Sequence, residues 1–196
     1  FGKKGVLDRF SQIEPKLVIT TAAYIYNGKT INILEKIQDI LSDLPSVEKT
    51  IIVPFEGDSD SILINNSINW NDFVTNTSRE IQFANLPFDH PLYIMYSSGT
   101  TGLPKSIVHS VGGTLIQHLK ELKLHTDLNR DDKIFYFTTC GWMMWNWLVS
   151  SLAIGCSIVL YDGNPFYPNN DSLLKIMNDI DIDVFGTSAK YISTLE

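Results

Sequence analysis

The residues best suited to chemistry lie in one stretch, Tyr96-Ser97-Ser98-Gly99-Thr100-Thr101-Gly102-Leu103-Pro104-Lys105. Glycines let a backbone turn tightly and bring its N–H groups close to a ligand. The hydroxyls of Ser97, Ser98, Thr100 and Thr101 add further donors, and Lys105 adds a positive charge. That combination suits a polyphosphate. The stretch is not a Walker loop: counting from Gly99, that spacing needs glycine at 104, where Pro104 has no N–H to offer. A flexible Ser/Thr/Gly connector is the plainer reading. Against it stand the strand-forming run Leu92–Tyr96 before the loop and the Pro-Lys pair after it, followed by Ser106, Ile107 and Val108, which suit a strand better than an immediate helix.

The elements that must position this loop follow from periodicity. Leu17–Thr20 reads as a strand, and Tyr24-Ile25-Tyr26 runs into Asn27-Gly28, the strongest short hairpin signal. Ile31, Leu34, Ile37, Ile40 and Leu41 recur at helical spacing, with Asn32 and Glu35 placed as an N-terminal capping pair and Pro45 as the stop. Thr50–Val53 is the next strand. Ile62–Ile64 reads as a short strand, Trp70, Phe73 and Val74 give one face of a short helix, and Asn85–Pro91 is a loop in which His90 is expected to be exposed. Beyond the phosphate-type loop, Leu115, Ile116, Leu119 and Leu122 predict one helix face. Lys133–Thr138 predicts a strand, Trp142–Ile154 a mostly buried helix and Ser157–Tyr161 a strand. A helix starting at Asp171 is expected to turn Leu173, Leu174, Met177 and Ile180 inward. Asp183–Phe185 then forms a strand, Gly186-Thr187 a turn, and a last helix runs to Glu196. Alternating strands and helices predict an α/β fold of mainly parallel βαβ units, whose sites gather at strand carboxyl ends. The expected organisation is a β-hairpin-α-β unit over 1–57, a connecting segment over 58–91 and an α/β subdomain over 92–196. The phosphate-type loop, Cys140-Gly141-Trp142 and Gly186-Thr187-Ser188 all fall at strand ends, where they could line one crevice.

Composition narrows the function classes. A formal net charge of −7 without a basic cluster argues against a nucleic-acid partner, whose phosphates need a basic surface. Cys140 and Cys156 lie far apart with no CxxC partner, which disfavours structural zinc and a disulfide framework and fits a reducing, cytoplasmic setting. Ile134–Tyr161 carries no charge and is long enough to raise a membrane span. Gly141, Gly155 and several Ser, Thr and Asn residues interrupt it and no basic cluster flanks it, so strand, helix, strand is the better reading. The chain opens on Phe1 rather than methionine, and it is expected to be a piece of a longer protein.

Tyr96–Lys105 resembles, at every position, the signature phosphate loop of the adenylate-forming enzymes, which include acyl-CoA synthetases, luciferases and peptide-synthetase adenylation domains. His109-Ser110-Val111-Gly112-Gly113 resembles the His-x-x-Gly-Gly of the short-chain acyl-CoA synthetases, and Gly141-Trp142 the Gly-Trp at their acyl pocket. The fuller strings Thr139–Trp147, Tyr161–Pro165, Phe185–Tyr191, Val6–Phe10 and Ile13–Lys16 are similar to the branch that activates acetoacetate. The likeness covers nearly the whole chain and is weakest over 57–86.

The resemblance implies the large N-terminal domain of an AMP-forming acid–thiol ligase, truncated. It implies ATP with Mg2+, and coenzyme A as co-substrate, acting on acetoacetate or another small carboxylic acid. Ser97, Ser98, Gly99, Thr100, Thr101, Gly102 and Lys105 would hold the ATP phosphates. Trp142, Met143 and Met144 would shape the acyl pocket, against the plain alternative that they are core. Asn146 could donate to the 3-keto oxygen, while His109, Gly186 and Thr187 are expected near the substrate; a histidine such as His109 is more often structural. The Mg2+ ligand, the ribose-binding aspartate and the C-terminal domain with its adenylation lysine are expected beyond Glu196, so no catalytic residue is assigned here and this stretch alone is expected to be inactive. The other readings are a different short- or medium-chain acyl-CoA synthetase, an amino-acid adenylation domain, or a non-catalytic nucleotide-binding module.

Overall fold

The computed structural model describes residues 1–55, 64–74, 80–97 and 102–196. The chain divides into two compact units, one comprising 1–85 and 96–107, the other 86–95 and 108–196. The segment 58–91 is therefore shared between them. The expected strand at Ile62–Ile64 lies largely outside the described residues.

The first unit starts with helix α1 (Lys3–Phe10), followed by β1 (Leu17–Thr21), the hairpin β2 (Ala23–Tyr26) and β3 (Lys29–Asn32), α2 (Leu34–Leu41), β4 (Lys49–Val53), β5 (Ser67–Asn69) and the short α3 (Trp70–Phe73). Asn27 and Gly28 take φ of 52° and 71°, the doubly positive turn that an Asn-Gly hairpin predicts. Strand β4 is central in the parallel order β1-β4-β5, and its Thr50, Ile51 and Ile52 are almost wholly buried. Burial on both faces explains its unbroken apolar, β-branched run. The capping pair is half realised: Asn32 Oδ1 accepts from the Leu34 N–H at 3.0 Å, whereas Ile31 belongs to β3 and not to the helix. Strand β5 and helix α1 have no sequence signal strong enough to predict them. No residue of α1 is buried, and its Lys3 instead meets Asp39 and Asp43 of the α2 region at 2.7 and 2.8 Å. Helix α3 forms as expected, but Trp70, Phe73 and Val74 are exposed rather than packed.

In chain order, β6 (Pro91–Ser97) and β7 (Lys105–Ser110) pair as a two-stranded sheet that flanks the phosphate-type loop. The second unit then has α4 (Val111–Lys120), a wide helical turn over Glu121–His125, β8 (Lys133–Tyr136), α5 (Met143–Ser150), β9 (Ser157–Val159), α6 (Ser172–Ile180), β10 (Val184–Gly186) and α7 (Ala189–Leu195). Its sheet is parallel in the order β10-β8-β9. Successive strand residues point to opposite faces. Accordingly Ile134 packs with Leu122, Leu128, Leu148 and Cys156, while Phe135 packs with Leu173 and Tyr191 and stacks on Phe185 at 5.3 Å. Helices thus cover both faces of the sheet, the arrangement that alternating βα sequence predicts.

Several faces differ from expectation. On α4 the buried side chains are Thr114 and His118, continued by Leu122 in the next turn, while Leu115 and Ile116 are exposed. The i, i+4, i+8 row that packs is the partly polar one. Helix α5 is shorter and less buried than predicted: Leu148 is its one buried residue, and Trp142 before it is 66% exposed. On α6, Leu173 is buried but Leu174 and Ile180 are exposed. Gly186 is the last residue of β10, paired with Tyr136, not part of a turn. Among the described residues no helix is long and apolar enough to cross a membrane.

Candidate functional site

The second unit carries a cavity of about 700 Å3 that opens to solvent. Strands β6 and β7 contribute Met95 and His109, α4 contributes Thr114 and His118, and the wide turn after it contributes Glu121. Helix α5 supplies Met143, Met144, Asn146 and Trp147 from the opposite wall. The start of α4 is held by the loop before β6: His90 O accepts from the Val111 N–H at 2.8 Å, Phe88 O accepts from the Gly112 N–H at 2.9 Å, and Ser110 Oγ caps the Gly113 N–H at 3.3 Å. A Cβ on Gly112 would lie 2.1 Å from Phe88 Cδ2, so the first glycine of the His-x-x-Gly-Gly string is needed for close approach. His90, read as an exposed loop residue, is exposed and contributes its carbonyl.

The polar groups on the two helices are linked. Ser150 Oγ lies 2.9 Å from Asn146 O, one turn back, and 2.8 Å from His118 Nδ1. The serine hydrogen is assigned to the Asn146 carbonyl, so Ser150 must accept from Nδ1–H of His118. Asn146 Nδ2 donates to Met95 Sδ at 3.1 Å, and thioether sulfur is a poor acceptor that a carbonyl oxygen would displace. Glu121 is held below the usual carboxylate range, first by its hydrogen bond from Lys120 and further by His125 and Gln117.

His118 is 8% exposed, and burial pushes its pKa below 6.5, with nearby His109 acting in the same direction. Between the folded value and 6.5 the unfolded chain carries a proton on this residue that the native state lacks, so stability rises with pH there and falls on acidification. We expect the urea midpoint to drop as pH is lowered from 7.5 to 5.5, with this one group contributing a slope of at most about 1.4 kcal/mol per pH unit. His118→Asn should flatten that dependence; a wild-type and variant pair with parallel pH profiles would refute it.

The predicted site residues are only partly brought together. Met143, Met144, Asn146 and His109 share the cavity. Trp142 is not among its lining residues, nor are Gly186 and Thr187. Gly186 instead sits against Tyr136: an added Cβ would be 2.0 Å from Cδ2 of that ring. Thr187 Oγ1 is buried without a hydrogen-bond partner. Cys140-Gly141-Trp142 follows β8 and Gly186-Thr187-Ser188 ends β10, which are paired neighbours, so these segments leave adjacent strand ends. Of the phosphate-type loop, Ser98, Gly99, Thr100 and Thr101 lie outside the described residues. Ser97 is half-buried at the end of β6, Gly102 is exposed with nothing within 4 Å of an added Cβ, and Lys105 is exposed at the start of β7. Lys105 makes no ion pair with a described residue. Within the first unit, Tyr96 Oη donates to Arg9 O at 3.0 Å and Gln12 Nε2 donates to Pro104 O at 2.8 Å, tying both flanks of the loop to α1 and the turn after it.

Sequence reasoning missed Thr114, His118 and Glu121. The signal for them was the i, i+4, i+7 spacing of polar residues along helical turns whose leucines drew attention to the other face. Among the described residues no group of three or more His, Cys, Asp or Glu side chains is arranged to hold a metal ion.

Comparison with known proteins bears on the whole chain. An acetoacetyl-CoA synthetase of Danio rerio is 50% identical over 100% of this chain and 30% of its own length. A malonamoyl-CoA synthetase of Penicillium aethiopicum is 41% identical over 100% of this chain, again matching 30% of the relative. The solved structure of acetoacetyl-CoA synthetase from Streptomyces lividans superposes with a TM-score of 0.92 at 43% identity, covering 99% of this chain and 29% of that one. The chain therefore spans just under a third of the length of these relatives. Its match to the family described as AMP-binding enzyme runs over residues 1–195, and the chain belongs to that family.

Proposed function

We propose that the chain is part of an AMP-forming acid–thiol ligase that activates acetoacetate with ATP and passes the acyl group to coenzyme A. The reading is supported above all by one observation: His109, from a strand more than thirty residues earlier, lines the same cavity of about 700 Å3 as Met143, Met144 and Asn146 of α5, space enough for a small acid. A carboxylate is a poor electrophile, and joining it to the α-phosphate of ATP gives a mixed anhydride with a good leaving group. The protein's part in that step is positioning and charge neutralisation.

Lys105 and Ser97 fit a polyphosphate, one as a cation with no acidic partner among the described residues and the other as a hydroxyl at a strand end. With Ser98, Gly99, Thr100, Thr101 and Gly102 they would hold the β- and γ-phosphates, and Mg2+ would share that charge through ligands outside these residues. Met143 and Met144 offer pliable apolar contact to the acyl chain. The Asn146 amide, resting on a weak sulfur acceptor, is free to turn to the 3-keto oxygen. Gly186, Thr187 and Trp142 do not line this cavity. With both cysteines free, the cytoplasm is the compartment we assign.

Pyrophosphate release by the full-length enzyme, measured across a panel of carboxylic acids, tests the reading. Acetoacetate should lead the panel, and Lys105→Ala should lower kcat/KM by about tenfold to a hundredfold, the worth of a charge-assisted hydrogen bond. Release led by a longer or amino-bearing acid would move the assignment to another synthetase. ATP binding without turnover on any acid would leave a nucleotide-binding module.

A further inference from the structure

The α4 wall of the cavity carries polar groups that the acetoacetate reading does not use. Thr114 and His118 are both more than nine-tenths buried, lie one helical turn apart, and line the cavity. Thr114 Oγ1 has no hydrogen-bond partner. His118 spends Nδ1–H on Ser150, and Nε2 has no partner among the described residues. Burial keeps this imidazole neutral near pH 7, so Nε2 is a bare acceptor. A buried hydroxyl without a partner, beside an imidazole nitrogen that no described residue meets, calls for a ligand that brings a donor as well as an acceptor.

Resting on the ligase reading above, we propose that Thr114 and His118 receive a carboxamide on the distal carbon of the acid, so that malonamate is activated alongside acetoacetate. The two acids are isosteres that differ by NH2 for CH3. Both present the same carbonyl oxygen, which Asn146 Nδ2 and Thr114 Oγ1 are equipped to meet. Only the amide adds an N–H for His118 Nε2. Ser150 is the positioning residue: by accepting from Nδ1 it fixes the tautomer, and by donating to Asn146 O it fixes the imidazole against the turn of α5 that carries the amide. The third isostere, malonate, would bring a second carboxylate against a bare nitrogen, with no lysine or arginine among the residues that line the cavity to offset it.

The test is pyrophosphate release by the full-length enzyme with acetoacetate, malonamate, malonate and butyrate. Wild type should use malonamate with kcat/KM within about tenfold of acetoacetate, and malonate at least about a hundredfold less well. His118→Asn keeps a donor near the Nδ1 position for Ser150 and deletes the Nε2 acceptor, so the malonamate-to-acetoacetate ratio should fall about tenfold. Should that variant not fold, Thr114→Val takes its place. It is close to isosteric and removes a hydroxyl that has no partner, and it should lower malonamate and acetoacetate about tenfold relative to butyrate. Malonamate turnover by wild type more than about tenfold below that with acetoacetate overturns the assignment, as does an unmoved malonamate-to-acetoacetate ratio in folded His118→Asn or, where Thr114→Val stands in, an unmoved ratio of malonamate to butyrate. Failure of every acid, acetoacetate included, would instead overturn the ligase reading and this inference with it.

Discussion

Gly186→Val is expected to lower the stability of the second unit by about 3 kcal/mol or more, read as a fall in urea midpoint at unchanged slope. The reason is a contact between paired strands. Gly186 faces Tyr136 across the β10–β8 register, and a Cβ there would stand 2.0 Å from Cδ2 and 2.6 Å from Cε2 of the tyrosine ring. The ring cannot simply swing aside. It is half-buried, it packs on the Leu122–Leu148 cluster, and it meets Trp147 edge-on at 6.0 Å. Trp147 in turn lines the cavity, so the same substitution should disturb acid binding as well as stability. Trimming the ring with Tyr136→Ala in the Gly186→Val background should recover part of the loss, because the cost is a clash and not an independent defect. A midpoint within experimental error of wild type would show that the strand tolerates the side chain.

Leu148→Ala should cost about 3 kcal/mol, within the range of about 2–5 kcal/mol seen for buried leucine truncations. Leu148 is 1% exposed and packs with Leu122, Leu128 and Ile134, each at 0%. Those neighbours come from the wide turn after α4, the following loop and the central strand, so no single element can move to fill the space. The consequence reaches function because α5 carries Met143, Met144 and Asn146 on its cavity side. Loss of Leu148 should therefore loosen that wall and raise KM for the acid more than it lowers kcat. Thermal or urea unfolding gives the first quantity and initial rates the second. A loss below about 1 kcal/mol would mean that the core collapses around the truncation.

Much of the architecture was readable from local signals. The Asn27-Gly28 hairpin, the β-branched strand at Thr50–Val53 and the strands on either side of the phosphate-type loop each have a local cause: doubly positive φ, burial on both sheet faces, β-branched side chains. Local signals failed where an element's partner was remote. Helix α1 has no buried residue, and its partners are remote: Lys3 meets carboxylates of the α2 region and the Arg9 carbonyl accepts from Tyr96, which no window on residues 3–10 contains. The three-residue β5 exists by pairing with β4. The inward face of α4 was misread because its leucine and isoleucine are exposed while Thr114 and His118 are buried. Hydrophobic periodicity assumes that the wall behind a helix is apolar, and here that wall belongs to a cavity with polar groups.

By itself the amino-acid order determined the chemistry on offer: small hydroxylated residues, glycines and a lysine between two strands, a Trp-Met-Met-x-Asn string, and alternating elements that build a parallel sheet. Short-range sterics and side-chain chemistry are enough for that. Only the tertiary structure decided which of those residues meet. Met143, Met144, Asn146 and His109 share a cavity, Gly186 serves strand packing, and Trp142 stays outside. It also brought in His118, whose free nitrogen is defined by a serine 32 positions away. Hydrogen bonds and burial between distant segments depend on how helices and strands stack, and that stacking is set by the whole core at once.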